Sequence, residues 1–142
     1  IVGRKPSPEV IALHEVNGCN VWGMVEDIRP WLKAADMALV PLNIARGVQN
    51  KVLEAMAMCL PTVLTPGAAT GIGANNGKQL VIAESDEELA HAAIKLLQDT
   101  RRARIKGLAA RNFVCDHANW QSALAPLLDI VGVKRRATRN AA

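Results

Sequence analysis

The chain is poor in aromatic residues and has no tyrosine. One Phe and three Trp among 142 residues leave a core that has to be built from aliphatic side chains, Ala and Met. That composition is typical of helices packed on a buried parallel sheet. It also argues against a stacking platform for single-stranded nucleic acid, and we predict no nucleic-acid partner. Hydrophobic residues make up 50% of the chain, which argues against global disorder.

Cysteines are few and widely spaced. Cys19, Cys59 and Cys115 contain no C-x-x-C pair, so neither a zinc site nor a disulfide framework is indicated. We expect buried free thiols in a reducing cytoplasm. No apolar run approaches the roughly 18 residues of a membrane span, and no signal-peptide pattern opens the chain. The predicted location is therefore the cytoplasm.

Several motifs that bind phosphate or metal are absent. No Gly-Lys-Ser/Thr follows the glycines of residues 66–77, no G-x-G-x-x-G opens a helix, and no Asp-x-Asp pair occurs. We therefore predict neither a metal nor a cofactor.

His14, His91 and His117 lie on three separate predicted helices, and their spacing suggests no catalytic set.

The net charge of +4 is concentrated at the end of the chain. Lys134, Arg135, Arg136 and Arg139 all lie in the last nine residues. The ordinary interpretation of such a tail is a solvated terminus. A sharper alternative is a contact with a membrane surface, which would place the protein peripherally at the inner membrane face.

Apolar runs alternate with amphipathic segments along the chain, which predicts an α/β fold with a parallel sheet and helices on both faces. Capping signals place helix starts at Ser7, Asp27, Ser85 and Asn119. A first strand is predicted to end at Val2-Gly3. Four more strands are predicted over 20–25, 37–42, 62–64 and 80–83. The first predicted helix begins after Ser7 and ends at about Glu15, and the second begins at Asp27. Four more helices are predicted over 49–59, 85–98, 101–116 and 119–131. Residues 66–77 are predicted to form a long mobile loop.

The predicted organisation is one three-layer α/β/α Rossmann-like domain over 1–131 and a basic tail over 132–142. Because the sequence opens with what looks like the end of a strand, we expect it to be an excised part of a larger protein.

The segment Asn43–Pro66 carries most of the functional signal. A glycine-bearing loop leads into a helix and then into a buried strand. Gly47, Val48 and Gln49 precede or open the helix, where unpaired N–H groups and the helix dipole favour an anion. Glycine lets a phosphate approach the backbone closely. A lone loop glycine is a weak signal by itself.

Charged residues beside this loop are candidates for the same site. Arg46 and Lys51 can neutralise a diphosphate, although each can equally be an ordinary surface charge. Asn50 can donate to a phosphate or cap the helix. Glu54 lies among apolar residues, and its carboxylate can accept two hydrogen bonds from ribose hydroxyls. The alternative is a solvated acid paired with Lys51.

A second candidate is the turn Gly23-Met24-Val25, whose backbone can pair with a base edge. Met24 can pack on the face of the base, although a Met at a strand end is more often part of the core.

These residues together resemble the C-terminal, donor-binding half of GT-B glycosyltransferases of family GT4. The resemblance rests on V-W-G-M-V-E-D-I-R-P-W-L-K-A-A-D, on V-P-L and on K-V-L-E-A-M-A-M-C-L-P-T-V. The resemblance covers about residues 1 to 130. Within the family, the chain is most similar to the sugar transferases of bacterial exopolysaccharide gene clusters. The resemblance implies that Glu54 holds the ribose, that 47–49 meet the phosphates and that 23–25 lie beside the nucleobase.

One position departs from the family pattern. The family places a second acid eight positions before Glu54, and here that position is Arg46. The acid usually contacts the donor sugar, so the identity of the sugar is open, and arginine would contact the diphosphate instead. The family's N-terminal domain and its basic residues are expected to precede Ile1.

The resemblance implies transfer of a hexose from a nucleotide-diphosphate sugar to a glycan or lipid-linked acceptor, with retention, in polysaccharide biosynthesis. Arg46 and Lys51 would stabilise the leaving diphosphate in place of a metal. The isolated domain is expected to be inactive. Two alternatives stay open: half of a nucleotide-sugar epimerase, which would need cleft carboxylates, and a non-catalytic Rossmann-like scaffold domain.

Overall fold

The computed structural model describes residues 1–130, apart from the side chains of residues 123, 125, 128 and 129. The predicted tail 132–142 and Val131 lie outside the described residues. The strands are β1 Ala38–Val40, β2 Thr62–Leu64 and β3 Val81–Ile82. The helices are α1 Pro8–Ile11, α2 Arg29–Ala34, α3 Asn50–Ala57, α4 Pro66–Ala69, α5 Asp86–Gln98, α6 Thr100–His117 and α7 Trp120–Ile130. A short 3₁₀ turn covers Val16–Gly18. None of the helices in this described part combines the length and apolarity needed to cross a membrane.

The backbone separates into two compact units, the first formed by Ile1–Ala34 and the second beginning at Ala35. The second unit contains a parallel sheet in the order β1-β2-β3. Leu39 lies opposite Val63, and Leu64 opposite Ile82. This confirms the predicted α/β class with a parallel sheet.

β2 is buried on both faces, as its apolar sequence requires. Leu64 belongs to a core cluster with Val52 and Met56 of α3 and Ala110 of α6. Val63, which points to the opposite face, belongs to a second cluster with residues of α5. Helices therefore cover the sheet on both sides, in the α/β/α layering that the sequence predicts.

The helix caps in the second unit follow the sequence signals. The Ser85 hydroxyl accepts a hydrogen bond from the Glu88 N–H at 3.2 Å, and Asn119 Oδ1 accepts one from the Ser122 N–H at 2.8 Å. Asp99 accepts from the Arg102 N–H at 2.9 Å and opens α6. Each bond satisfies a donor that a helix start leaves without an intrahelical partner.

The first unit departs most from prediction. The expected strands at Val2-Gly3 and 20–25 reduce to one parallel bridge between Val2 and Gly23. The left-handed φ of +69° at Gly23 interrupts the extended backbone. No residue of 1–34 is buried, and a strand pair without a buried face is marginal.

The first helix is also shorter than predicted. Ser7 caps α1 as expected, but the helix ends at Ile11 rather than near Glu15. Glu15 and Asn17 adopt left-handed backbone angles with φ of 65° and 50°, which a continuous helix cannot contain. Ile11 is exposed, so no buried apolar face favours a longer helix.

Two further expectations need correction. The segment 66–77 is not irregular throughout, because α4 folds at its start. The cysteines are free, but they are not buried: Cys115 is exposed, and Cys19 and Cys59 are half-buried.

Candidate functional site

Two loops meet at the carboxyl edge of the parallel sheet in the second unit. One follows β1 and leads into α3, and the other follows β2 and contains α4. The Thr65 hydroxyl donates to the Leu42 carbonyl oxygen at 2.6 Å. A Cβ placed on Gly67 would lie 3.1 Å from that same oxygen. This edge is where open α/β sheets bind their ligands.

The N-terminus of α3 is open at this edge. Its N-cap residue Gln49 makes no capping bond with its side chain. The Gln49 amide instead donates back to the carbonyl oxygens of Gly47, at 3.1 Å, and Arg46, at 3.5 Å. The N–H groups of Asn50 and Lys51, the first two residues of α3, therefore lack both an intrahelical partner and a side-chain cap. Such a helix start favours an anion.

Gly47 shapes the approach to these groups. Its φ is +69°, and a Cβ placed there would have no atom within 4 Å. The glycine thus permits the left-handed backbone and leaves open space in front of it. These are the conditions under which a phosphate can come close to main-chain N–H groups.

Two cations flank the open helix start. The Arg46 and Lys51 side chains are both exposed. Among the described residues the single ion pair joins Asp27 and Arg29, so none of the described carboxylates neutralises either cation. Arg46, Lys51 and the α3 N–H groups together form a positively polarised surface.

Glu54 lies on α3 one turn beyond these cations and is exposed. Its neighbours Val52, Ala55 and Met56 face the core. The pairing with Lys51 that the sequence allowed is not formed, because the ion pair of the described residues lies elsewhere. The Glu54 carboxylate is therefore available to accept hydrogen bonds from a ligand.

The turn Gly23-Met24-Val25 belongs to the first unit. The Gly23 carbonyl oxygen accepts a hydrogen bond from the Gly3 N–H at 2.8 Å. Val25 is half-buried, whereas Met24 exposes 71% of its surface. Met24 is thus not the core residue that its strand-end position favours, and its thioether side chain is free to pack on a flat apolar ligand.

The sequence interpretation missed the contribution of the segment after β2. Gly71 has a φ of +76°, and a Cβ there would lie 3.0 Å from Cγ2 of Val48. This segment therefore packs against the predicted phosphate loop. A signal was available, because Thr65-Pro66 pairs an N-cap residue type with proline at the first helical position, which marks the start of α4.

The structure brings Arg46, Gly47, Val48, Gln49, Asn50, Lys51 and Glu54 into one loop and helix start. Their roles stay predictions. Within the part of the chain that the structure describes, no three His, Cys, Asp or Glu side chains cluster as metal ligands. His14 Nδ1 accepts the Val21 N–H at 3.1 Å, and the His117 ring stacks on Phe113 with 4.8 Å between centroids.

Comparison with known proteins agrees with this architecture. The model of the family glycosyl transferases group 1 matches residues 1–99. No curated protein sequence matches the chain significantly. Among solved structures, the chain is similar to Anabaena Alr3699/HepE in complex with UDP and glucose, with a TM-score of 0.77 and 16% identity. That alignment covers 94% of this chain and 39% of HepE.

Two more solved structures share the fold. Sucrose-phosphate synthase from Thermosynechococcus elongatus matches with a TM-score of 0.69 and 20% identity, over 80% of this chain and 29% of that one. The C-terminal domain of LpcC, a glycosyl transferase group 1 family protein from Francisella tularensis, matches with a TM-score of 0.63 and 20% identity. The alignment covers 80% of this chain and 60% of the LpcC domain.

The chain spans well under half the length of HepE and of the synthase. The fold is the Rossmann-like α/β/α arrangement of GT-B glycosyltransferases. Because the family model covers most of the sequence, the chain belongs to the glycosyl transferases group 1 family.

Proposed function

We propose that this chain is the donor-binding domain of a retaining, GT4-like hexosyltransferase that uses a nucleotide-diphosphate sugar. The observation that carries the proposal is the uncapped N-terminus of α3. It follows the open, left-handed Gly47 and is flanked by the exposed side chains of Arg46, Lys51 and Glu54. Among the described residues these side chains form no ion pair, and all of the groups suit a nucleoside diphosphate.

Each group has a role in the proposed reaction. The bond between the sugar C1 and the diphosphate oxygen breaks, and the electron pair stays on the diphosphate. The α3 N–H groups, Arg46 and Lys51 stabilise that developing charge in place of a metal ion. The acceptor hydroxyl forms the new bond to C1 on the same face and gives its proton to the departing diphosphate oxygen. Glu54 accepts hydrogen bonds from the ribose hydroxyls, and Gly23-Met24-Val25 lies beside the base.

The remaining parts of the proposal concern the whole enzyme. The acceptor is a glycan or a lipid-linked glycan in bacterial exopolysaccharide or related polysaccharide biosynthesis, and an N-terminal GT-B domain binds it. The protein is cytoplasmic, and the basic tail 132–142 holds it at the inner membrane face. Because the donor of a GT-B enzyme lies between two domains, the chain alone is expected to bind nucleotide weakly and not to transfer sugar.

A titration with nucleotides tests the donor site. HepE was solved in complexes with UDP, so UDP is the first ligand to add to the ¹⁵N-labelled chain, followed by GDP and ADP. We expect saturable amide shifts at residues 47–54 and 23–25 for one of the three. Glu54→Gln removes the carboxylate charge and replaces one of its two acceptor oxygens with an NH2 donor. It should weaken binding about tenfold, which corresponds to the loss of one charge-assisted hydrogen bond.

Asp116→Asn is the matched control, because Asp116 is also an exposed helical acid but lies near the end of α6. It should leave the affinity unchanged. Equal weakening by both substitutions, or no saturable shift with any nucleotide at millimolar concentration, would count against a donor site in this chain and favour the scaffold alternative.

A further inference from the structure

A second positively charged surface lies away from the donor loop. A cavity of about 530 Å³ is lined by Gly77, Lys78, Asp99, Arg101, Arg102, Ile105, Lys106 and Ala109. Its volume is in the range of small-molecule sites. Gly77 and Lys78 precede β3, whereas the donor loop follows β1. Segments that precede parallel strands lie at the opposite edge of the sheet from segments that follow them, so this cavity is separate from the donor site.

The wall of the cavity is mainly cationic. Four cations, Lys78, Arg101, Arg102 and Lys106, face one carboxylate, Asp99. The Asp99 carboxylate already accepts the Arg102 N–H at 2.9 Å and caps α6. One acid that is used in a cap leaves a clear excess of positive charge around the cavity.

Lys106 is the most informative member of this cluster. It exposes only 5% of its surface and is the one charged side chain among the buried residues of the described chain. Its ammonium donates to the Gly77 carbonyl oxygen, which uses one of its three N–H donors. Burial, and then the charge of Arg102, lower the pKa of Lys106. An anion in the cavity would remove part of that penalty.

We propose that this cavity binds a phosphate monoester that carries a small apolar group. Arg101, Arg102, Lys78 and the free donors of Lys106 hold the dianionic phosphate, for which guanidinium groups are suited. Ile105 and Ala109 supply the apolar wall against which the uncharged part packs. The alternative is that Lys106 only fastens the segment before β3 to α6.

Phenyl phosphate is a suitable soluble probe, and inorganic phosphate tests the contribution of the apolar wall. Both are titrated into the ¹⁵N-labelled chain at constant ionic strength, with sodium chloride as the blank. We expect saturable shifts at Gly77, Lys78, Arg102 and Lys106, with phenyl phosphate the tighter ligand. The Lys106 ammonium should then lose its proton at higher pH than in the free protein.

Two variants test whether the phosphate binds to the cations that line the cavity or is attracted by the overall positive charge of the protein. Arg102→Gln should raise the Kd about tenfold, since it removes a charge-assisted contact. Arg104→Gln removes the same charge from an exposed position of α6 that does not line the cavity, and it should change the Kd less than about twofold. Equal effects of the two substitutions would overturn the proposal. So would the absence of saturable shifts, which would leave Lys106 as a structural clamp only.

Vesicles distinguish a soluble ligand from a lipid headgroup, which has the same phosphate monoester chemistry in phosphatidic acid. Binding to vesicles of phosphatidic acid in phosphatidylcholine that is lost with Arg102→Gln but kept with Arg104→Gln would identify the cavity as a headgroup site. Vesicle binding that falls equally in both variants would point to surface charge rather than to this cavity.

Discussion

At the scale of single residues, the ion pair of the first unit gives a direct pH test. The Asp27 carboxylate accepts hydrogen bonds from the Arg29 side chain, from Nε–H at 3.0 Å and from Nη2–H at 2.9 Å. It also accepts the Arg29 backbone N–H at 2.9 Å. The side-chain hydrogen bond from Arg29 is the main reason that the pKa of Asp27 lies below its usual value. The pair is exposed, so it contributes little to stability.

We predict that Arg29→Gln raises the pKa of Asp27 toward its ordinary value, as followed by the carboxyl resonance in an NMR titration. Because the pKa in the folded state is below that of the unfolded chain, the contribution of Asp27 is complete above the unfolded pKa. It is lost as the pH falls through the folded pKa. Asp27 pKa values that agree in the two proteins would show that the pair does not persist in solution.

Gly47 provides the second residue-scale prediction. Gly47→Ala keeps a left-handed backbone that L residues disfavour by about 1–2 kcal/mol, and its methyl group enters the open space beside Gly47 that the proposal assigns to the phosphate. We expect a modest fall in the unfolding midpoint and loss of the UDP-induced shifts. Gly18→Ala is the control, since Gly18 has a φ of +77° and no atom near its Cβ.

Gly18→Ala should leave nucleotide binding unchanged. Because Gly18 lies in the first unit, which has no buried residue, its effect on the midpoint should be smaller than that of Gly47→Ala. If Gly47→Ala binds UDP as the parent chain does, the phosphate does not contact this part of the loop.

At the scale of elements, the contact between α3 and α6 depends on one small residue. α3 ends at Ala57, and Cys59 turns the chain with a φ of 62°. The carbonyl oxygen of Cys59 would lie 1.9 Å from a Cβ on Gly107. The Arg111 guanidinium donates to the Ala57 carbonyl oxygen nearby. The backbones approach so closely that no side chain fits between them.

We predict that Gly107→Ala lowers the free energy of unfolding by about 2–4 kcal/mol, even though alanine favours helix by up to about 1 kcal/mol. The backbone has to move apart, which separates α6 from the core residues Val52 and Met56 of α3. Urea denaturation followed by circular dichroism measures the change. Asn112→Ala, at an exposed position of the same helix, should be neutral or stabilising.

A stabilising Gly107→Ala would mean that α6 can shift outward at no cost, and that the close approach is not required.

At the scale of the whole molecule, buried residues are unevenly distributed. All buried positions of the described chain lie between Val40 and Ala110, and 1–34 contains none. Local opening free energies follow burial and backbone hydrogen bonding. The core of the second unit should therefore be much more resistant to opening than the first unit.

Hydrogen exchange tests this expectation. We predict the slowest amide exchange at β2 and at the buried residues of α3, and exchange close to the rate of an unstructured chain over most of 1–34. Mass spectrometry or NMR at neutral pH gives the rates. Protection of α1 equal to that of α3 would show that the first unit is stabilised by contacts beyond those of its own residues.

The features predicted well from sequence are those set by neighbouring residues. The bounds of β2 are as predicted, and the caps at Ser85 and Asn119 form. These outcomes follow from an apolar run that has to be covered on both faces and from side chains that satisfy nearby N–H groups. The loop and start of α3 were likewise located from Gly47 and the amphipathic residues that follow it.

Other features depended on packing between distant segments. The strands expected at Val2 and at 20–25 need a covered face to extend beyond a bridge, and a local apolar pattern does not supply one. Met24 was favoured as core but is exposed, because the position of a residue along a strand does not decide what packs on it. The identity of Glu54 as a ribose ligand still rests on resemblance.

Local sequence by itself determined the class of fold, the order of the strands and longer helices from β1 onwards and the position of the candidate phosphate loop, because hydrophobic periodicity and capping act over a few residues. Only the tertiary structure decided that Gly107 has to be glycine, that Gly71 packs against Val48 and that Lys106 lines a cationic cavity. Each of these depends on the distance between segments far apart in the chain, which is fixed by how the helices settle on the sheet.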